Sequence, residues 1–284
     1  MEKVGIGVIG GSGVYEIEGV EYVDTFHPET PFGRPSDEIR IARMDGKRVA
    51  FLPRHGRGHR FNPTHVPYQA NIYALKMLGV TKLVTISAVG SLRLEIEPLH
   101  MVVPDQIIDR TKHRANTFFD PCAVHCGFAE PFCPELSALV ADTLEGVGLT
   151  VHRGGTYVCM EGPLFSTKAE SEMHRRWGAA VIGMTALPEA KLAREAEMSY
   201  TTIACSTDYD CWHEEHVSVE VVVANLLKNV ENVKRAIKAL IPRIDPDRPG
   251  PYESRLRNAL LSSREHIPEE KREIFQFFFG KYWR

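Results

Sequence analysis

The 284-residue chain contains no apolar run near the length of a membrane span, and its net charge is only −3, from 34 basic and 37 acidic side chains. The first absence leaves no candidate for a helix crossing a bilayer. The second gives no reason to expect nucleic acid or an anionic membrane as a partner. No signal-like segment precedes the first strand-like stretch, so a cytoplasmic protein is expected. There is no internal repeat and no G-x-S-x-G elbow with its serine centred on a strand-to-helix turn, which argues against a serine hydrolase. Six cysteines occur, but a cytosolic chain of this size does not need disulfides. Cys122, His125, Cys126 and Cys133 lie close in sequence, yet C-x3-C-x6-C matches no standard zinc spacing, so reduced thiols and no metal are expected.

What remains is an ordinary globular composition, 43% hydrophobic and 25% charged, with enough apolar material for a sizeable core. Val4–Ile9 reads as a buried strand ending in Gly10-Gly11-Ser12-Gly13. Asp45-Gly46 is a two-residue hairpin turn between alternating apolar runs. "VPYQANIYALKMLGV" has helical apolar spacing and closes on Gly79, and Lys82–Ser87 is a β-branched strand. "HMVVPDQIIDR" supplies one short strand, residues 110–134 a loop, and Pro134 opens a helix. Strands then alternate with helices up to a long closing helix from Val217. The alternation predicts a single α/β domain: a central, mixed, mostly parallel twisted sheet with helices on both faces. "PRIDPDRPGP" marks a boundary, dividing a catalytic domain over residues 1–245 from an extension over 246–284 with two further helical patterns. The aromatics from Phe275 to Trp283 predict that the extension packs on its own domain or on a neighbouring subunit.

Several strand ends carry groups suited to chemistry. Gly5, Gly7 and Gly10 spell G-x-G-x-x-G, but inside the first strand rather than at its exit, so a dinucleotide fingerprint is not supported. At the exit, glycine N–H groups and the Ser12 hydroxyl suit an anion, although a plain tight turn reads equally well. "PRHGRGHRF" crowds Arg54, His55, Arg57, His59 and Arg60; Arg54 is the natural bidentate partner for phosphate, against the alternative of a solvated basic loop. "TISAVGSL" offers Ser87 and Ala88 at a strand end, and "VIGMTALPE" offers Met184 and Thr185. "ACSTDYDCWH" ends a buried strand in Asp208 and Asp210, which share a face if the chain stays extended. Helix capping or a satisfied loop carboxylate is the structural alternative for both.

Taken in order, "GVIGGSGVY", "LPRHGRGHRFNPTHVPYQANIYALKMLGV", "SAVGSLRLEIEP", "AEPFCPEL", "EGPLFSTKAES", "IGMTALPEAKLAREA" and "STDYDCW" resemble the trimeric purine nucleoside phosphorylase family, most closely its methylthioadenosine branch, over most of residues 3–240. The resemblance implies phosphorolysis: inorganic phosphate attacks C1′ of the nucleoside and the purine leaves. It requires no cofactor, phosphate being a co-substrate. It places phosphate at Ser12, Arg54, His55, Ser87, Ala88 and Thr185, the sugar against Met184 and His59, and the purine against Phe165 and Ser166, with Glu161 beside them.

The purine carries negative charge as it leaves, so the resemblance makes Asp208 a general acid at N7, supported by Asp210. Burial favours the protonated form of such a carboxyl. Acceptance from an exocyclic amino group selects adenine over 6-oxopurines. The 5′ group of the sugar would meet Val219, Val222 and Val223, with His125 contributed by a neighbouring subunit, which implies a homotrimer or two stacked trimers. Two positions depart from the animal enzymes: Gly183 replaces an asparagine and Leu164 an arginine. The rival readings are a 6-oxopurine or 5′-methylthioinosine phosphorylase, a dinucleotide-dependent oxidoreductase resting on the misplaced glycines, and a nucleoside-binding protein without turnover.

Overall fold

The structure is a computed structural model that describes all residues except 1, 2, 12, 15, 16, 214–218 and 284, with the backbone alone for 219–222. Eleven strands form one sheet that forks around a ten-residue central strand. β1 (Ile6–Gly10), β2 (Glu21–Phe26), β3 (Ile39–Met44), β4 (Lys47–Pro53) and β5 (Lys82–Ser91) come first. They are followed by β6 (Met101–Val103), β7 (Gln106–Arg110), β8 (Val151–Arg153), β9 (Thr156–Met160), β10 (Val181–Gly183) and β11 (Ser199–Asp208). On one side, β5 pairs in parallel with β11 along its length. On the other it pairs first with β1 in parallel, then antiparallel with β10 once β1 has ended. The fork brings the exits of β1, β4, β10 and β11 to the far half of β5.

The helices are α1 (Tyr68–Met77), α2 (Pro134–Gly146), α3 (Lys168–Arg176), α4 (Glu189–Glu195), α5 (Val219–Leu240) and α6 (Arg272–Phe279). The strand runs Ile6–Gly10 and Ser199–Thr207 are buried on both faces, as a covered parallel sheet requires. Asp45 and Gly46 both hold positive φ, 48° and 73°, the conformation of the hairpin turn predicted between β3 and β4. The expected mixed α/β sheet is what the chain forms.

Three local expectations differ. "HMVVPDQIIDR" is two strands rather than one: Pro104, which has no N–H to give, separates β6 and β7, and they join different branches of the sheet. β2 was not legible because it is an exposed edge with little apolar alternation. The extension contains one α-helix, α6, while residues 251–259 are successive turns. It packs on its own chain. Phe275, Phe278 and Phe279 join the core cluster that holds Phe118 and Phe119, with ring centroids 4.8–5.4 Å apart.

Candidate active site

A cavity of about 310 Å³ opens at the fork, lined from the exits of β1, β4, β10 and β11, from β5, and from one face of α5. Of the residues expected at the site, Arg54, His55, His59, Ser87, Ala88, Phe165, Met184, Thr185, Asp208 and Asp210 all line it. Ser12 lies outside the described residues, while its neighbour Gly11 lines the cavity. The side chains of Val219 and Val222 are likewise outside the description.

Val223 and His125 are not brought to the cavity of their own chain. Val223 is exposed near the start of α5, and the helix lines the cavity through Leu226, Asn229, Val230 and Val233 instead. Leu226, Val230 and Val233 continue the helical face of Val223. His125 is exposed in a loop tied to the extension, its N–H donating to the Ala259 carbonyl at 2.8 Å. Ser166 is half-buried beside the cavity, its backbone carbonyl facing Cys211 Sγ.

Arg54 is almost fully buried, and its fork is already filled. Nε and Nη2 donate to the two oxygens of Glu189 at 2.9 and 3.0 Å, and Nη1 donates to the Ile86 carbonyl at 2.7 Å. The Tyr200 hydroxyl adds a donor to the same carboxylate. Burial works against the charge on Arg54, and Glu189 more than offsets it, so the guanidinium stays charged. Arg54 is therefore not a free bidentate clamp as expected; it meets the cavity with the N–H groups that Glu189 and Ile86 leave over.

His55 presents no positive charge either. Its Nδ1 lies 2.9 Å from the Phe61 carbonyl, which can only accept, so Nδ1 carries the proton. Burial, then the neighbouring Arg54, pull its pKa down to about 4. His59 stacks on it at 4.1 Å between centroids. The nearby basic residue Arg57 is paired with Glu38, so little of the loop's formal charge reaches the cavity. Ser87 Oγ stands 3.1 Å from Thr185 Oγ1.

The aspartates reach the cavity by a route the sequence does not reveal. A register shift after Ser206 bulges β11, Asp208 pairs with Gly90, and the chain then turns into a 3₁₀ segment over residues 210–212. Asp208 Oδ1 accepts from the Asp210 N–H at 2.8 Å, and Oδ2 accepts from the Thr207 hydroxyl at 2.7 Å. The extended-chain argument thus fails at Asp210, whose φ is 52°, yet both side chains still line the cavity. His59, with φ 55°, is a second non-glycine cavity residue held in the left-handed region, a strain that surrounding contacts must maintain. Asp210 is buried with Oδ2 unpaired, and burial, followed by the charge of Asp208, raises its pKa.

Two residues that organise the site escaped sequence reasoning. Glu189 partners Arg54, and Arg114 ties loops together. The buried Arg114 guanidinium donates to the carbonyls of Met184 and Leu187, each at 2.6 Å, and also to those of Met160 and Glu161. Glu161 is its ion-pair partner. Burial acts to raise that carboxyl, but hydrogen bonds from Thr64, Lys112 and His113 and the charge of Arg114 bring it down to about 2. Glu161 is occupied in holding the loop. The only sequence signal was an arginine in a Cys- and Phe-rich loop, which resembles any surface residue.

Among the described residues, no three His, Cys, Asp or Glu side chains gather as a metal site, and the six cysteines are free thiols. No helix of the described residues is long and apolar enough to cross a membrane.

Comparison with known proteins agrees with this fold. A model of the Phosphorylase superfamily matches residues 5–242. The chain is 54% identical over 286 residues to the S-methyl-5′-thioadenosine phosphorylase of Geobacter sulfurreducens, covering 99% of this chain and all of the relative. A crystal structure of a methylthioadenosine phosphorylase from an antarctic soil metagenomic library superposes with a TM-score of 0.92 at 43% identity, covering both chains in full. An adenosine/methylthioadenosine phosphorylase mutant from Schistosoma mansoni, in complex with methylthioadenosine, gives 0.79 at 35% identity over 86% of this chain and 93% of that one. The chain belongs to the phosphorylase superfamily.

Proposed function

We propose that the protein catalyses phosphorolysis of 5′-methylthioadenosine, releasing adenine and 5-methylthioribose 1-phosphate. The observation that carries this reading is the order of groups along β5. Ser87, with Arg54, His55 and Thr185 around it, lines the same cavity as Gly90, against which Asp208 and Asp210 pack. Three residue steps along the strand set the two ends about 10 Å apart, room for an anion, a sugar and the edge of a purine.

Phosphate binds at the Ser87 end, completed by Gly11, and Met184 and His59 border the sugar. A phosphate oxygen bonds to C1′ as the C1′–N9 bond breaks, and the electron pair of that bond passes into the purine. Asp208 delivers a proton to N7, and the carboxyl pair accepts from the 6-amino group, while Phe165 covers the base. No cofactor takes part. The start of α5 and His125 of a neighbouring copy close the 5′ end, so the active form is a homotrimer, alone or stacked in pairs, in the cytoplasm.

The test is adenine release from 5′-methylthioadenosine with and without phosphate, against hypoxanthine release from inosine and 5′-methylthioinosine. Phosphate-dependent adenine release with little hypoxanthine is expected. Adenine release at the same rate without phosphate would make the protein a hydrolase and refute the reading, and preferred hypoxanthine release would move it to the 6-oxopurine branch.

A further inference from the structure

Tyr157 lies on β9 behind the cavity wall, fully buried, and is not one of the cavity-lining residues. Its hydroxyl is 2.9 Å from Ser87 Oγ, and Ser87 Oγ is 3.1 Å from Thr185 Oγ1. Ser87 and Thr185 do line the cavity, so the three oxygens form a row leading from the protein interior to the anion end. Burial holds the phenol neutral by raising its pKa.

Room for this hydroxyl depends on residue 183. A Cβ built on Gly183 would overlap Tyr157 Oη and crowd Cζ, so no side chain at 183 can coexist with the phenol in this position. The glycine that departs from the animal sequences is thus the steric partner of Tyr157. Gly183 itself lines the cavity, with the Tyr157 phenol directly behind it.

Counting protons gives the row a direction. The buried phenol proton needs an acceptor, and among the described residues Ser87 Oγ is the one beside it, so the phenol donates to Ser87 and the serine proton is free for Thr185 Oγ1. The threonine proton then points at the cavity. The serine and threonine oxygens each accept one hydrogen bond and donate one, an arrangement in which successive bonds strengthen each other. Without the phenol, Ser87 loses its donor from the interior, and its proton can turn to its own strand, where the Ala88 carbonyl is 3.4 Å away.

We propose that Tyr157 is a positioning residue for the anion: its buried hydroxyl, admitted by Gly183, orients the Ser87 and Thr185 hydroxyls so that the row ends in a proton donated into the cavity. The inference rests on the reading of this end as the phosphate subsite. The variant Tyr157→Phe removes one oxygen and keeps the ring. With methylthioadenosine saturating, its KM for phosphate rises about 5–10-fold, the scale of one lost neutral hydrogen bond. Its KM for methylthioadenosine, with phosphate saturating, stays within about twofold. Phosphate-induced thermal stabilisation weakens in parallel.

A folded Tyr157→Phe enzyme with unchanged phosphate KM overturns the proposal, as does an equal rise in both KM values, which would mark a purely structural role. If that variant does not accumulate folded, Gly183→Ala displaces the phenol while keeping its hydroxyl, and an unchanged phosphate KM there is equally fatal. Wild-type protein that neither uses phosphate nor is stabilised by it defeats the subsite reading itself, a result separable from any behaviour of the variants.

Discussion

Replacing Glu189 by glutamine removes the charge that neutralises Arg54 and changes almost nothing in shape. The pair is bidentate, at 2.9 and 3.0 Å, between side chains that are 2% and 1% exposed. Leaving one member of such a pair without its counter-charge costs about 3–5 kcal/mol. Glutamine retains one acceptor for the guanidinium, so the lower end applies, roughly 3 kcal/mol. For a chain of this size each kcal/mol lowers Tm by about 2–4 °C, giving a fall of roughly 6–12 °C in phosphate-free buffer. Phosphate then becomes the only anion within reach of Arg54, so its stabilising effect is larger in the variant than in the wild type. Thermal melts across a phosphate series measure both quantities. In steady state, Glu189→Gln binds phosphate with a lower KM but turns over more slowly, because the added attraction acts on the ground state. A variant that melts within about 2 °C of wild type without phosphate, or that gains no more from phosphate than wild type does, refutes the reasoning.

Asp208→Asn lowers kcat/KM for methylthioadenosine by about 10²-fold or more, the scale of a lost general acid, and shifts preference toward 6-oxopurine nucleosides; an unchanged substrate profile removes Asp208 from its role. Glu195 accepts from the Phe118 N–H, and burial pushes its pKa up to about 7. Since this folded-state pKa exceeds that of an unfolded glutamate, the contribution is complete below about pH 4.5 and is lost as pH rises through 7. Glu195→Gln therefore melts higher than wild type at pH 8 and not at pH 4.5, and a pH-independent difference counts against the assignment. For His55 the sign is opposite: its folded pKa near 4 means that stability is lost as pH falls from about 6.5 toward 4, and His55→Gln flattens that part of the stability–pH curve. Phe278→Ala opens a cavity in the cluster with Phe118 and Phe119 and costs about 3–5 kcal/mol while leaving both KM values unchanged; a wild-type Tm would show that the extension is not part of the core.

The backbone of the site was legible where local rules decide it. β1 and β11 are apolar runs ending in glycine and aspartate, legible because burial on both faces leaves few other sequences for them, whereas β5 runs on to Ser91, four residues past its expected end at Ser87. The residues brought together at the fork, from Gly11 to Asp210, come from segments that the motifs had already singled out. What was not legible depends on pairing across long sequence distances. Nothing near Arg54 announces that Glu189, 135 positions later, occupies its fork. The environment of Gly183 needs the neighbouring strand β9, because a glycine at the end of a short strand does not reveal what it faces until Tyr157 is placed beside it. Asp210 reached the cavity through a bulge and a left-handed φ, neither of which the alternation of an extended strand encodes.

The anion end has less positive charge than its sequence suggests, and the chemistry accounts for that. Arg54 is offset by Glu189, and His55 is neutral with its Nδ1–H donating to the Phe61 carbonyl. On the proposed reading the anion is therefore held mainly by hydroxyls, by backbone N–H groups and by the N–H groups of Arg54 that its partner leaves over. A site with two bare cations would grip phosphate harder, but it would draw electron density away from the attacking oxygen. It would also repel the sugar, which gains positive charge as the C1′–N9 bond lengthens. A nearly neutral polar cradle fixes the position of the nucleophile and leaves its negative charge free to stabilise the developing cation. On this argument the Glu189 carboxylate contributes to rate, not only to folding. The slower turnover expected of Glu189→Gln, despite tighter phosphate binding, is the consequence that separates these two roles.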